Sequence, residues 1–229
     1  MPRPLFISLD GLDGTGKSTQ CRLLADWLRK QGQDVVECAD PGGTAVGDAI
    51  REILLRGGDG ASGGKGEGLP VAPSPLRPLS PSAPMSLPCE AFLFMASRAQ
   101  LTAEVIRPAL AAERTVLADR YLLANVVYQG HAGGLDPDRL WEIGRLATGG
   151  LLPDLTFVLD LPVDVALSRR TEPADRVESR DVAYHTRVRE GFLAEAQRHP
   201  DIIQVVDAAQ PVQKVHERIR HVLAAHSRP

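Results

Sequence analysis

Residues 11–19 read GLDGTGKST. Gly11-Leu12-Asp13-Gly14-Thr15-Gly16-Lys17-Ser18 fits G-x-x-x-x-G-K-[ST] at every fixed position, and Thr19 follows. Glycines leave room for backbone N–H groups to curl around phosphate oxygens. The lysine reaches the β- and γ-phosphates, and the serine hydroxyl suits Mg2+. Such a loop holds a triphosphate, so the terminal phosphate must go to water, to a protein or to a small acceptor. The other chemistry-bearing residues bear on that choice.

Asp119 ends the run VLAD and is followed by Arg120. A carboxylate at the end of a strand faces the ligand crevice and is placed to serve the metal; it also reads as a plain turn residue. Arg120 offers a second phosphate a bidentate partner. Phe94 and Arg98 are four apart and share a helix face. An aromatic plane beside a forked donor suits a nucleobase; Phe94 alone reads better as core packing, and with Arg98 on the same stripe the two readings are even. Asn125 and Tyr128 can reach one face of the same pocket, although each taken singly reads more readily as a structural residue. Residues 169–180 carry Arg169, Arg170, Arg176 and Arg180 among Glu172, Asp175 and Glu178. That is either a solvated charged segment or a lid. The phosphate loop has no arginine between Gly11 and Gly16, so an arginine acting on a transferred phosphoryl group must come from elsewhere.

These residues need a scaffold that brings them together. Apolar runs at 5–10, 34–39, 115–119, 155–161 and 202–208 read as strands. Helices are expected over 17–30, 45–56, 89–113, 122–130, 136–147, 163–169, 181–198 and 211–226, with Pro108 bending or splitting the third. The alternation predicts an α/β fold: a mainly parallel sheet of five strands with helices on both faces. Residues 57–88 are rich in Gly, Pro and Ser and lack aromatics, so they read as a flexible insertion or a Pro-rich partner segment. One domain over 1–229 is expected.

Bulk properties narrow the function further. The chain has 229 residues, 43% of them hydrophobic, and a net charge of −3. That balance argues against nucleic-acid or anionic-membrane binding by bulk charge. Cys21, Cys38 and Cys89 form no C-x-x-C pair, and the six histidines show no metal-ligand spacing. The N-terminus lacks the apolar core of a signal peptide, and no apolar run approaches the roughly 20 residues of a membrane span. A cytoplasmic protein is expected.

At this point the sequence resembles the bacterial thymidylate kinases. The matching stretches are GLDGTGKSTQ (11–20), DPGGTAVGDAIREILL (40–55), LFMASRAQ (93–100), DRYLLANVVYQG (119–130), PDLTFVLDLP (153–162) and DRVESR (175–180). The resemblance implies an α/β fold of the phosphate-loop kinase type, a parallel five-stranded sheet flanked by helices with a lid over 169–180, and transfer of a phosphoryl group from ATP, with Mg2+, to dTMP, by a homodimer. Gly11 to Thr19 would bind ATP, with Ser18 and Asp119 at the metal. Asp13 would take the sugar 3′-hydroxyl of dTMP, and Phe94 would stack on thymine. Arg98 would hydrogen-bond the base, and Asn125 and Gln129 would border it. Arg120 and Arg51 would hold the acceptor phosphate, and Tyr128 would crowd the 2′ position. Lys17 and a lid arginine, from among Arg169, Arg170 and Arg176, would act at the transferred group. Gly14 stands where one branch of the family has a basic residue. The chain departs from the family pattern in lacking the arginine of REPGGT at Ala39, in shortening its acid to Asp40, in Ala124, and in the length of 57–88. A kinase of another nucleoside monophosphate, or a non-catalytic nucleotide-binding protein, are the competing readings.

Overall fold

The computed structural model describes residues 4–55, 85–169, 176 and 179–226. Five strands form one parallel sheet: β1 (Phe6–Gly11), β2 (Val35–Ala39), β3 (Thr115–Asp119), β4 (Leu155–Asp160) and β5 (Ile203–Asp207), in the order β2-β3-β1-β4-β5. Every residue of β1 is buried, because helices cover both faces of the central strands. The edge strands β2 and β5 mix buried and more open positions.

The helices are α1 (Lys17–Lys30), α2 (Ala45–Leu55), α3 (Leu87–Leu101), α4 (Arg107–Ala111), α5 (Leu122–Asn125), α6 (Pro137–Ala147), α7 (Val163–Ser168), α8 (Val182–Arg198) and α9 (Val212–His226). α1 buries Cys21, Leu24, Ala25 and Leu28 against the sheet, a stripe at helical spacing. One continuous apolar core runs from Leu5 to Leu223.

Two expectations change. The helix expected from residue 89 starts at Leu87, because Ser86 caps it by accepting from the Cys89 N–H and Pro88 fits a first turn that has no donor to lose. Residues 57–84 of the expected insertion lie outside the described residues, as do 170–175, 177 and 178 of the expected lid. The irregularity expected at Pro108, a bend or a split, takes the form of a π turn between α3 and α4. Thr102–Ile106 widen into that turn just before Pro108, and α4 continues the path. A second π turn, Val126–His131, continues α5 through the expected helix at 122–130.

Candidate active site

The C-terminal ends of β1 and β3 lie side by side, with Leu9 opposite Asp119. The chain leaves β1 into the phosphate loop and leaves β3 into Arg120, whose N–H donates to the Leu9 carbonyl at 2.9 Å. Asp40, just after β2, donates its N–H to the Asp119 carbonyl at 3.0 Å. Three strand ends thus deliver Gly11, Asp119, Arg120 and Asp40 to one crevice, the place where open parallel sheets bind ligands.

A cleft of about 470 Å3 opens there. From the phosphate loop it is lined by Asp13, Gly14, Gly16, Lys17, Ser18 and Thr19. Gly11, Leu12 and Thr15 lie behind that surface and shape the loop: Thr15 Oγ1 donates to the Leu12 carbonyl at 2.8 Å. Gly11 cannot carry a side chain, since a Cβ there would meet the Leu159 carbonyl oxygen at 2.6 Å. Lys17 is nearly buried and donates to the Leu12 carbonyl at 2.9 Å and to Asp13 Oδ1 at 3.2 Å. Ser18 Oγ donates to Asp119 Oδ2 at 2.7 Å. That pair joins a hydroxyl and a carboxylate on the cleft wall beside Lys17. One or two hard oxygens from the protein, completed by phosphate and water oxygens, are the usual protein share of a Mg2+ site, so the donor set fits.

The other end of the cleft is walled by Arg51, Phe94, Arg98, Arg120, Asn125, Tyr128 and Gln129. Every acceptor-side residue expected from the sequence therefore faces the same space as Lys17. Arg120 spans the middle: it donates to the Gly11 carbonyl at 2.9 Å, to Asp13 at 2.5 Å and to the Tyr128 hydroxyl at 3.3 Å. Burial resists ionisation of Asp13, but Arg120 and Lys17 outweigh it and hold the carboxyl well below the usual range. Arg51 donates to the Pro41 carbonyl at 2.8 Å. Arg98 is fully enclosed, its Nε on Asp40 at 2.6 Å and its Nη1 on Asn125 Oδ1 at 3.0 Å. The shortened acid Asp40 therefore serves to orient Arg98.

The expected lid arginines separate. Arg169, one residue past α7, lines the cleft and donates to the Ala208 carbonyl at 3.2 Å. Arg170 lies outside the described residues. Arg176 does not line the cleft; it meets Glu90 at 2.7 Å and the Leu54 carbonyl at 2.9 Å. The position of Arg169 has a local cause. Gly14, at φ +84°, would put a Cβ 2.1 Å from the Ala166 carbonyl oxygen of α7. Only glycine lets α7 approach so closely. The residue that keeps a basic side chain out of the loop is the one that lets α7 bring Arg169 in.

Two buried acids escaped the sequence reading. Asp10 ends the apolar run at β1 with a charge, and that oddity was its only signal. It is wholly buried, neither carboxyl oxygen has a hydrogen-bond partner among the described residues, and burial pushes its carboxyl up to about 7 against the pull of Arg120 and Lys17. Glu90 precedes Phe94 by one helical turn, and nothing in its spacing distinguished it from a surface acid.

Among the described residues no helix is long and apolar enough to cross a membrane. The thymidylate kinase family model matches residues 9–62 and 76–219. A thymidylate kinase of Symbiobacterium thermophilum is 42% identical over 96% of this chain and 92% of its own. One of Rhodopirellula baltica is 41% identical over 93% of this chain and 78% of its own. The crystal structure of thymidylate kinase from Ehrlichia chaffeensis superposes with a TM-score of 0.71 at 26% identity, covering 97% of this chain and 99% of that one. With the cleft, the sheet order and these likenesses in agreement, the chain belongs to the thymidylate kinase family.

Proposed function

We propose that the cleft holds the phosphate tails of ATP and dTMP end to end, and that the chain phosphorylates dTMP to dTDP. The single observation that carries this reading is the shared space: Lys17 and Ser18 line the same cleft as Phe94, Arg98 and Arg120. The loop backbone and Lys17 cradle the donor phosphates. Arg120, with Arg51, grips the acceptor phosphate. Phe94 stacks on the pyrimidine, Arg98 donates to its carbonyl, and Asn125 and Gln129 close its edge. Asp13 takes the sugar hydroxyl, and Tyr128 crowds the 2′ position. Phosphoryl transfer then needs alignment and charge stabilisation rather than a covalent enzyme intermediate. Arg169 is the guanidinium placed to meet charge spreading over the moving group.

Mg2+ would be held by Ser18 and Asp119, and when bound it neutralises phosphate charge. The three free thiols suit a reducing, cytoplasmic setting. Ile53, Phe92 and Leu146 expose large apolar side chains on α2, α3 and α6. A homodimer that covers them is the assembly this reading carries, and sedimentation of the full chain tests it: a monomer at micromolar concentration removes it.

A coupled assay of ADP release decides the reaction. With ATP and Mg2+, dTMP supports turnover well above dUMP, dCMP and dGMP. Similar rates with all four would favour a broad monophosphate kinase, and ATP binding without acceptor-dependent release would favour a non-catalytic protein.

A further inference from the structure

Glu90 lies in the first turn of α3 and is fully buried, yet the roles above do not use it. Its carboxylate is crowded with donors. Gln129 Nε2 donates to it at 2.7 Å, Arg180 Nη2 at 2.9 and 3.1 Å, and Arg176 Nη1 lies 2.7 Å away. A chain of hydrogen bonds leads on from there into the acceptor end of the cleft. Gln129 Oε1 accepts from Asn125 Nδ2 at 2.7 Å, and Asn125 Oδ1 accepts from Arg98 Nη1 at 3.0 Å. Arg98 Nε ends the chain on Asp40 at 2.6 Å. A guanidinium only donates and a carboxylate only accepts, so both amides between Arg98 and Glu90 are held in one orientation. Aligned bonds of this kind polarise one another in a buried site.

Arg176 adds a second constraint. Its Nε donates to the Leu54 carbonyl near the C-terminal end of α2, at 2.9 Å, while its Nη1 holds Glu90 of α3. Arg51 and Leu55 of α2, and Phe94 and Arg98 of α3, line the acceptor end. Arg176 thus joins the two helices that wall that end, and its own side chain stays off the cleft.

We propose that Glu90 is a positioning residue for the acceptor nucleotide, and that Arg176 acts through Glu90 rather than on the transferred phosphoryl group. The proposal rests on the dTMP kinase reading. It divides the arginine-rich segment by role: Arg169 serves the donor side, and Arg176 and Arg180 hold the acceptor wall in place.

Steady-state kinetics of the full chain test it, with Glu90→Gln, Arg176→Gln and the double variant. Each single change raises KM for dTMP roughly tenfold, the loss of a charge-assisted hydrogen bond. kcat and KM for ATP stay within about twofold. The double variant is no worse than the worse single, because the two side chains act as one unit. A fall in kcat at unchanged KM for dTMP in Arg176→Gln would put Arg176 at the transferred group and overturn the proposal. A lowered melting temperature with unchanged KM would also overturn it, leaving Glu90 a purely structural acid. Should Glu90→Gln fail to fold, Arg176→Gln decides alone, since that side chain is 22% exposed and not part of the closed interior. Wild-type protein without dTMP-dependent turnover would instead sink the kinase reading beneath it.

Discussion

Arg120 sits in a backbone conformation most side chains avoid, φ +70°, and its guanidinium touches the loop carbonyl, Asp13 and Tyr128 at once. Strain held at a ligand-gripping residue is a common cost of aiming it. Arg120→Ala raises KM for dTMP roughly 100-fold through lost charged hydrogen bonds, and KM for ATP far less. A loss confined to ATP would show that Arg120 serves the other tail. Arg120→Gly loses the same side chain but relaxes the left-handed backbone, so urea unfolding should find it about 1 kcal/mol more stable than Arg120→Ala. Asp10 makes a different prediction. Its folded carboxyl keeps its proton up to about 7, while the ordinary value is 3.8. The folded state binds more protons across that window. This contribution to stability is therefore complete below the lower value and lost as pH rises through the upper one. Between about pH 5 and about pH 8 the wild type should lose melting temperature relative to Asp10→Asn. Parallel profiles for the two proteins would show that the Asp10 carboxyl does not titrate there.

At the scale of elements, the phosphate loop and α7 form one packed unit joined at Gly14. Gly14→Ala forces a Cβ against the Ala166 carbonyl and strains a positive φ. It should cost at least about 2 kcal/mol of stability and displace Arg169 with α7. Arg169→Ala leaves that packing alone, so it lowers kcat by roughly 1000-fold with little change in melting temperature. Equal kcat for Arg169→Ala and wild type would move the phosphoryl-stabilising role to another group. The strands and most helices were legible because buried parallel strands read as apolar runs and capped helices announce their starts. The π turns were not. Thr102–Ile106 and Val126–His131 carry helix-compatible residues, and only the missing N–H of Pro108 hinted at the first. Gly14 was legible as a departure from one branch of the family, but its contact with α7 joins positions 152 residues apart by number, and no local pattern encodes that.

For the whole molecule, the sheet order β2-β3-β1-β4-β5 decides what meets what. It puts β3 beside β1, so Asp119 comes to lie against Ser18, and it leaves β4 on the other side, so α7 reaches the loop from there. Lys17, Asp119 and Arg120 were legible because motif spacing and strand ends constrain them directly. Glu90 and Asp10 were not, because a buried acid looks like a solvated one until its neighbours are known. Asp40 looked like a defect in a phosphate-binding stretch, and its partner Arg98 explains it. In the proposed reaction one cleft takes both nucleotides tail to tail. Titration calorimetry with a single molecule carrying adenosine and thymidine at the two ends of a phosphate chain tests it most directly. The predicted result is one molecule bound per chain, far more tightly than ATP or dTMP alone, and displacing both. Affinity no better than that of ATP, with dTMP still able to bind alongside, would mean two separate sites and would contradict the account.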